Sequence, residues 1–210
     1  MLNRLGVTLP IVQAPMAGVS TPAMAAAVSN AGGLGSIGVG ATDAAGARAM
    51  IVEVQARTVR AFNVNLFVHA TPAADPARET AWLDGLAPVF AEFGVAPPSR
   101  LTTIYKSFAD DPEMLALLLE VRPPVVSLHF GLPSAQIIAA LKQAGILLLA
   151  TATSLDEARR VEAAPPYITS PRRGSRHDGI FLACGGCGTA GQVNDDRLTG
   201  LLQRAAREAG

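Results

Sequence analysis

Short apolar runs alternate with helix-period segments along most of this chain. The runs are Pro10–Met16 (PIVQAPM), Leu34–Gly38, Phe62–Phe67 (FNVNLF), Val125–Phe130 (VVSLHF) and Ile146–Ala150 (ILLLA). Each is short and nearly continuous, as a strand buried on both faces is. Between them lie helix signals. Ser20-Thr21-Pro22 supplies a capping hydroxyl and a proline at the first helical position, ahead of a helix over Ala23–Asn30 that Gly32-Gly33 ends. Thr42-Asp43 opens a helix with Met50, Ile51 and Val54 at helical spacing. Asp75-Pro76 opens one carrying Trp82, Leu83, Leu86 and Phe90, and Asp111-Pro112 one carrying Met114, Leu115 and Leu118. Pro133–Ala144 reads as an amphipathic helix stopped at Gly145. Ser154-Leu155-Asp156-Glu157 is a capping box that opens a helix to Ala164.

Strand–helix units of this kind predict a parallel sheet covered on both faces. A (β/α)8 barrel and a doubly wound sheet both satisfy the pattern. A full barrel needs eight strands and about 250 residues, and the first 164 residues hold five strand signals. After Ala164 the pattern breaks. Pro165–Arg176 is basic and proline-rich, with no strand signal. Phe181–Gly188 is glycine-rich, and Asp196–Ala209 places Leu198, Leu201 and Leu202 on one helical face. The chain is therefore expected to divide into a partial barrel over residues 1–164 and an atypical tail over 165–210. For that tail the plain reading is a loop and a terminal helix, and the sharper one is that the sixth, seventh and eighth units are lost or replaced.

Composition narrows the function classes. Half of the residues are hydrophobic, which excludes disorder over the whole length. Seventeen basic side chains balance seventeen acidic ones, which argues against nucleic acid or an anionic membrane as the main partner. Two cysteines cannot build a disulfide scaffold and suit a cytoplasmic protein. The longest apolar stretch is far short of the roughly 20 residues that a membrane span needs. The first ten residues contain no apolar core of the kind a signal peptide has.

Several motifs carry candidate chemistry. Gly33-Leu34-Gly35-Ser36-Ile37-Gly38 matches the dinucleotide fingerprint, with Glu53 twenty residues after Gly33. Its context is wrong, because the glycines lie within a strand and Glu53 within a helix. Close packing around small residues is the better account. The turn Gln13–Pro22 ends the first strand, where parallel α/β proteins bind ligands. Asn63 and Asn65 share one face of an apolar strand and need partners. Neighbouring backbone is the first choice for them on the residues alone, and a polar ligand the second. His129 stands at the carboxyl end of the fourth strand, where imidazole can act as base or hydrogen-bond donor. A satisfied core histidine is an equal reading. His69 reads as a solvated loop residue. Cys184-Gly185-Gly186-Cys187 is a lone C-x-x-C without further ligands at suitable spacing, so no metal site is expected.

The run PIVQAPMAGVSTPAMAAAVSNAGGLGSIG resembles the opening of a nitronate monooxygenase, a family formerly called 2-nitropropane dioxygenase. The likeness continues through FNVNLFVH, DPARETAWLDGLAPVFAEFG, IYKSF, VVSLHFGLPS and ATATSLDEARRVEAA, over about residues 5–164. It selects a TIM-type (β/α)8 barrel over the doubly wound sheet, here incomplete at about five βα units plus an irregular C-terminal tail. It implies FMN as cofactor, and an oxidoreductase that converts alkyl nitronates or nitroalkanes with O2 to carbonyl compounds and nitrite. It places Ala14, Met16 and Gly18 against the flavin ring, with Pro15 shaping the turn. It makes Asn65 a flavin contact, puts His129 in the substrate pocket, and has Tyr105 line the same pocket.

The tail departs from that family. A motif of the form AQGxEAGGHRG on the sixth strand supplies the principal catalytic histidine. Here RRGSRHDGIF stands instead, and His177, followed by Gly179 and Phe181, is the altered counterpart. Arg176 and Asp178 do not fit, and the glycine-rich turns that hold the FMN phosphate have no counterpart. Two alternatives follow. One is a non-catalytic, degenerate partial barrel without a phosphate site. The other is a homo-oligomer in which the open sheet edges pair with another chain. A flavin barrel related to the enoyl-acyl-carrier reductases shares a similar opening, but VNLFVH and HFGLPS favour the nitronate branch.

Overall fold

The computed structural model describes residues 5–152, 157, 160–161 and 181–182. In chain order the elements are α1 (Pro22–Asn30), β1 (Gly35–Gly38), α2 (Ala44–Arg57), β2 (Phe62–Phe67), α3 (Pro76–Glu92), a 3-10 turn (Phe108–Asp110), α4 (Pro112–Val121), β3 (Val125–His129), α5 (Ala135–Gln143), β4 (Leu147–Thr151) and β5 (Phe181–Leu182). The capping signals at 21, 43, 75 and 111 perform as expected, while 154–156 of the expected capping box lie outside the described residues. Thr21, Asp43, Asp75, Asp111 and Ser134 each accept a hydrogen bond from a backbone N–H three residues on. Proline opens α1, α3 and α4. Glu157, Arg160 and Val161 are helical, within the segment expected to run to Ala164.

The five strands form one parallel sheet in the order β1-β2-β3-β4-β5. A doubly wound sheet reverses its strand order at a switch point. Here the order never reverses, so right-handed crossovers put α1, α2, α4 and α5 on the same side, as in a barrel. Strand β5 lies in the tail, where the sequence carries no strand signal, and it pairs Phe181 with Ala150 and Leu182 with Thr151.

Pro10–Met16 does not form the extended strand that its apolar pattern predicts. A single parallel bridge, Val12 with Leu34, joins it to the sheet. Proline at 10 and at 15 removes two backbone donors, and the chain turns back on itself where Met16 N–H donates to Ala14 O. The Gln13 side chain takes over the missing pairing. Its amide donates to Ser36 O at 3.1 Å and accepts from Ser36 N–H at 3.3 Å. Strand β3 stops at His129, one residue short of expectation, because Phe130 has φ +71.

Alternate strand residues face opposite sides. Val64, Leu66, Val126, Leu128, Leu148 and Ala150 pack on Ile51, Val54, Leu118 and Leu141 of the helices. On the other face Leu34, Val125 and Leu149 meet Leu5 and Val7. Between that apolar layer and the carboxyl ends of the strands sits a polar layer: Ser36, Asn63, Asn65 and Ser127, all fully buried. Helix α3 differs from the pattern read in its sequence, since it buries only Leu83 and leaves Trp82 exposed. It lies in a long excursion between β2 and β3, outside the ring of helices that covers the sheet.

Gly35 tests how closely α1 must approach the sheet. A Cβ there would stand 1.8 Å from Ala25 O and 2.5 Å from Ala25 C, both backbone atoms. Gly35→Ala is expected to cost about 3 kcal/mol, the upper end for overpacking, as a lowered urea midpoint followed by circular dichroism. An unchanged midpoint would show that α1 can move off the strand.

Candidate functional site

The carboxyl ends of the strands gather the candidate residues on one rim. At one side stands the turn Ala14–Gly18. Ser20 clamps it, its hydroxyl accepting from Met16 N–H at 2.9 Å and donating to Ala14 O at 3.0 Å. Gly18 adopts φ +75, which favours glycine, and Met16 is exposed. The turn rests on the end of β1, where a Cβ on Gly38 would lie 3.1 Å from both Pro15 O and Ala17 N. Ala14, Pro15, Met16 and Gly18 thus form a backbone-lined edge beside the polar layer. Nothing in the sequence but the hydroxyl at the turn's end points to Ser20 as its clamp.

In the polar layer, Asn63 Nδ2 donates to Ser36 Oγ at 3.2 Å and to Ser127 Oγ at 2.9 Å. Asn65 Nδ2 donates to Ser127 Oγ at 2.9 Å and to Ser127 O at 3.2 Å. Both asparagine nitrogens are therefore used, partly by neighbouring backbone. Both carboxamide oxygens are buried without a partner, as is Thr151 Oγ1. A buried acceptor left unmade costs about 1–3 kcal/mol. Buried orphans like these call for a donor that the surrounding side chains do not supply, from an ordered water or a ligand.

Beyond Asn65 the strand ends at Phe67, whose register partner on β3 is His129. Phe67 packs edge-on to Tyr105 at 5.6 Å between centroids and tilted against Phe130 at 5.2 Å. The His129 ring lies 5.7 Å from Phe130. Tyr105 and His129 therefore share the rim, joined through aromatic rings. Phe67 and Phe130 escaped the sequence reading, since an aromatic at a strand end looks like ordinary core. Gly131, at φ +154, approaches Val68 O so closely that a Cβ would meet it at 2.6 Å. A cavity of about 390 Å³ opens beside this turn, lined by Phe130, Gly131, Leu132, Thr151, Glu157, Arg160 and Val161.

His129 is half-buried, and burial alone moves its pKa, downward. Burial thus favours the neutral imidazole over its protonated form. His177 and the pair Cys184 and Cys187 lie outside the described residues. Glu53 sits exposed on α2 and pairs with Arg57 at 2.8 Å, so the Gly33–Gly38 fingerprint binds no ribose through it. Among the described residues there is no metal-ligand cluster, and no helix is long and apolar enough to cross a membrane.

The fold defines a (β/α)8-type barrel, with the candidate residues gathered at the carboxyl ends of its parallel strands. A family model described as nitronate monooxygenase matches residues 1–168. The nitronate monooxygenase of Paraburkholderia phytofirmans is 55% identical over 183 residues, covering 86% of this chain and 50% of the relative. That of Pseudomonas aeruginosa is 54% identical over 179 residues, covering 84% and 51%. A solved nitroalkane oxidase from Streptomyces ansochromogenes superposes with a TM-score of 0.67 at 39% identity, over 78% of this chain and 46% of the other. FabK from Thermotoga maritima reaches 0.54 at 29% identity, over 77% and 40%. This chain belongs to the nitronate monooxygenase family. It spans about half the length of the curated relatives it matches.

The lowered His129 pKa has a consequence for stability. The folded state binds fewer protons here than the unfolded state, so this contribution is fully present above the ordinary histidine value of about 6.5. It is lost as pH falls through the folded pKa. The urea midpoint is expected to fall between pH 7.5 and 5, and His129→Gln to remove part of that fall. In an NMR titration the His129 C–H resonances, identified by their loss in His129→Gln, should shift with a midpoint below 6.5. A midpoint above it would refute the buried, neutral imidazole.

Proposed function

We propose that this chain is the flavin-ring side of an FMN-dependent enzyme that oxidises alkyl nitronates or nitroalkanes with O2 to carbonyl compounds and nitrite. We place it in the cytoplasm, which the low cysteine content suits. Residues 1–164 form the barrel portion in this reading, and 165–210 the atypical tail. The observation that carries it is the buried Asn65 carboxamide oxygen without a partner, between the Ala14–Gly18 turn and His129. The residues present fit a flavin ring. Asn65 Oδ1 would accept a ring N–H, the exposed backbone of Ala14, Met16 and Gly18 would flank the ring, and Pro15 fixes the turn. Likeness to the family and to the solved nitroalkane oxidase supports the same assignment.

Bound FMN would supply the electron acceptor and the place where O2 is reduced. The chain's own groups do the rest. Neutral His129 takes a proton from the carbon beside a nitro group, and its protonated form stabilises the resulting nitronate anion. Tyr105, with Phe67 and Phe130 behind it, presents an aromatic wall to the alkyl group and limits water at the rim. His177 is proposed as a second histidine of the site.

The decisive measurement is the visible spectrum of the purified chain after FMN is added and the excess removed. Retained flavin bands and nitronate-dependent O2 uptake with nitrite release are expected. Asn65→Ala should weaken FMN binding about tenfold, the worth of one hydrogen bond. His129→Gln should retain flavin and lower kcat on neutral nitroalkanes by about 10²- to 10⁴-fold. A colourless protein, or full activity in His129→Gln, would sink the proposal.

A further inference from the structure

Helix α3 has 17 residues and buries one side chain. Five of its residues fall on one outer stripe at alternating spacings of four and three: Arg78, Trp82, Gly85, Val89 and Glu92. All are exposed, Trp82 to 63% and Val89 to 49%. Apolar surface gathered on one face marks a contact site, and tryptophan is over-represented among residues that dominate binding. Among the described residues neither the Arg78 guanidinium nor the Glu92 carboxylate has an ion-pair partner.

The stripe is its own complement. Arg78 and Glu92 lie seven residues to either side of Gly85. Turning a second α3 end over end about Gly85 therefore sets Arg78 of each copy over Glu92 of the other. The same symmetry sets Trp82 over Pro88 and Val89 over Ala81. Gly85 is where two backbones must cross, and nothing of the chain lies within 4 Å of a Cβ built there. A missing side chain at the crossing lets helices approach to about 8 Å. A parallel pairing would stack Arg78 on Arg78 and Glu92 on Glu92, so the charges select the antiparallel one.

We propose that α3 is a self-association face: two copies of this chain pair through antiparallel α3 helices about a two-fold axis at Gly85. The contact is isologous and closes as a dimer. It uses neither sheet edge nor rim. It would also anchor the excursion between β2 and β3, whose far end carries Tyr105.

Trp82 is the chain's sole tryptophan, so its fluorescence reports this face directly. In the full chain, the mass from sedimentation equilibrium should rise from one copy to two with concentration. Trp82 emission should move to shorter wavelength over the same range. Gly85→Lys enters open space, so the fold should persist, as circular dichroism can show, while pairing is abolished. Arg78→Glu and Glu92→Arg should each weaken pairing about tenfold. Mixing these two variants should restore it, because each then meets only opposite charges. A single copy at every concentration overturns the proposal. So does a dimer that survives Gly85→Lys, or a mixture no tighter than its parts.

Discussion

A polar layer inside an otherwise apolar sheet sets the register of β1, β2 and β3. Ser36, Asn63, Asn65 and Ser127 are sealed from water and must satisfy one another. Ser127 Oγ accepts from both asparagines, and Asn63 also reaches Ser36, so three strands are tied at one level. A slip of one residue in β2 would drive both amides into the apolar face beneath the helices and turn Val64 and Leu66 inward. Each amide so buried without partners would cost kilocalories. The layer therefore fixes which residues end each strand, and so places Phe67 opposite His129.

From that register the rim follows by contact. Phe67 lies over Gly40, where a Cβ would meet its ring at 2.6 Å, and from there touches Tyr105 and Phe130. The chain leaves His129 through Phe130 at φ +71 and Gly131 at φ +154. Left-handed backbone at a bulky residue costs roughly 1–2 kcal/mol, and ring packing on Phe67 offsets part of it. The sharp exit ends β3 at His129 and leaves the imidazole half-buried, enough to lower its pKa but not to seal it. Buried orphan oxygens below and a half-buried imidazole above are two consequences of one strand register.

Much of this was legible in the sequence because it is local. Capping residues act within four positions, and the caps read at Thr21, Asp43, Asp75 and Asp111 are in place. The apolar runs read at 62–67, 125–130 and 146–150 hold β2, β3 and β4 to within a residue, because burial on both faces leaves a continuous signature. The shared face of Asn63 and Asn65 follows from a period of two. What sequence could not show depends on partners far along the chain. Gln13 serves as a strand by its side chain, a choice visible only once Ser36 is beside it. Strand β5 is two residues long and takes its identity from β4. Trp82, Leu86 and Phe90 mark an apolar helix face, but periodicity does not say whether that face meets this chain or another.

The distribution of the candidate site residues along the chain has its own meaning. Ala14–Gly18, Asn65, Tyr105 and His129 come from the turn before α1, from β2, from the excursion that follows it and from β3. All lie within the segment matched by the family model. In a parallel sheet of sequential order each strand bonds only to its immediate neighbours, so this arc of the rim is set by its own register. Strands further round a barrel would alter how tightly a phosphate is held, since that depends on their own turns and helix N-termini. They have little leverage on the distance between Asn65 and His129. In the proposed reading, recognition of a flat ring and affinity for its charged tail are separable tasks, and the described residues would serve the first.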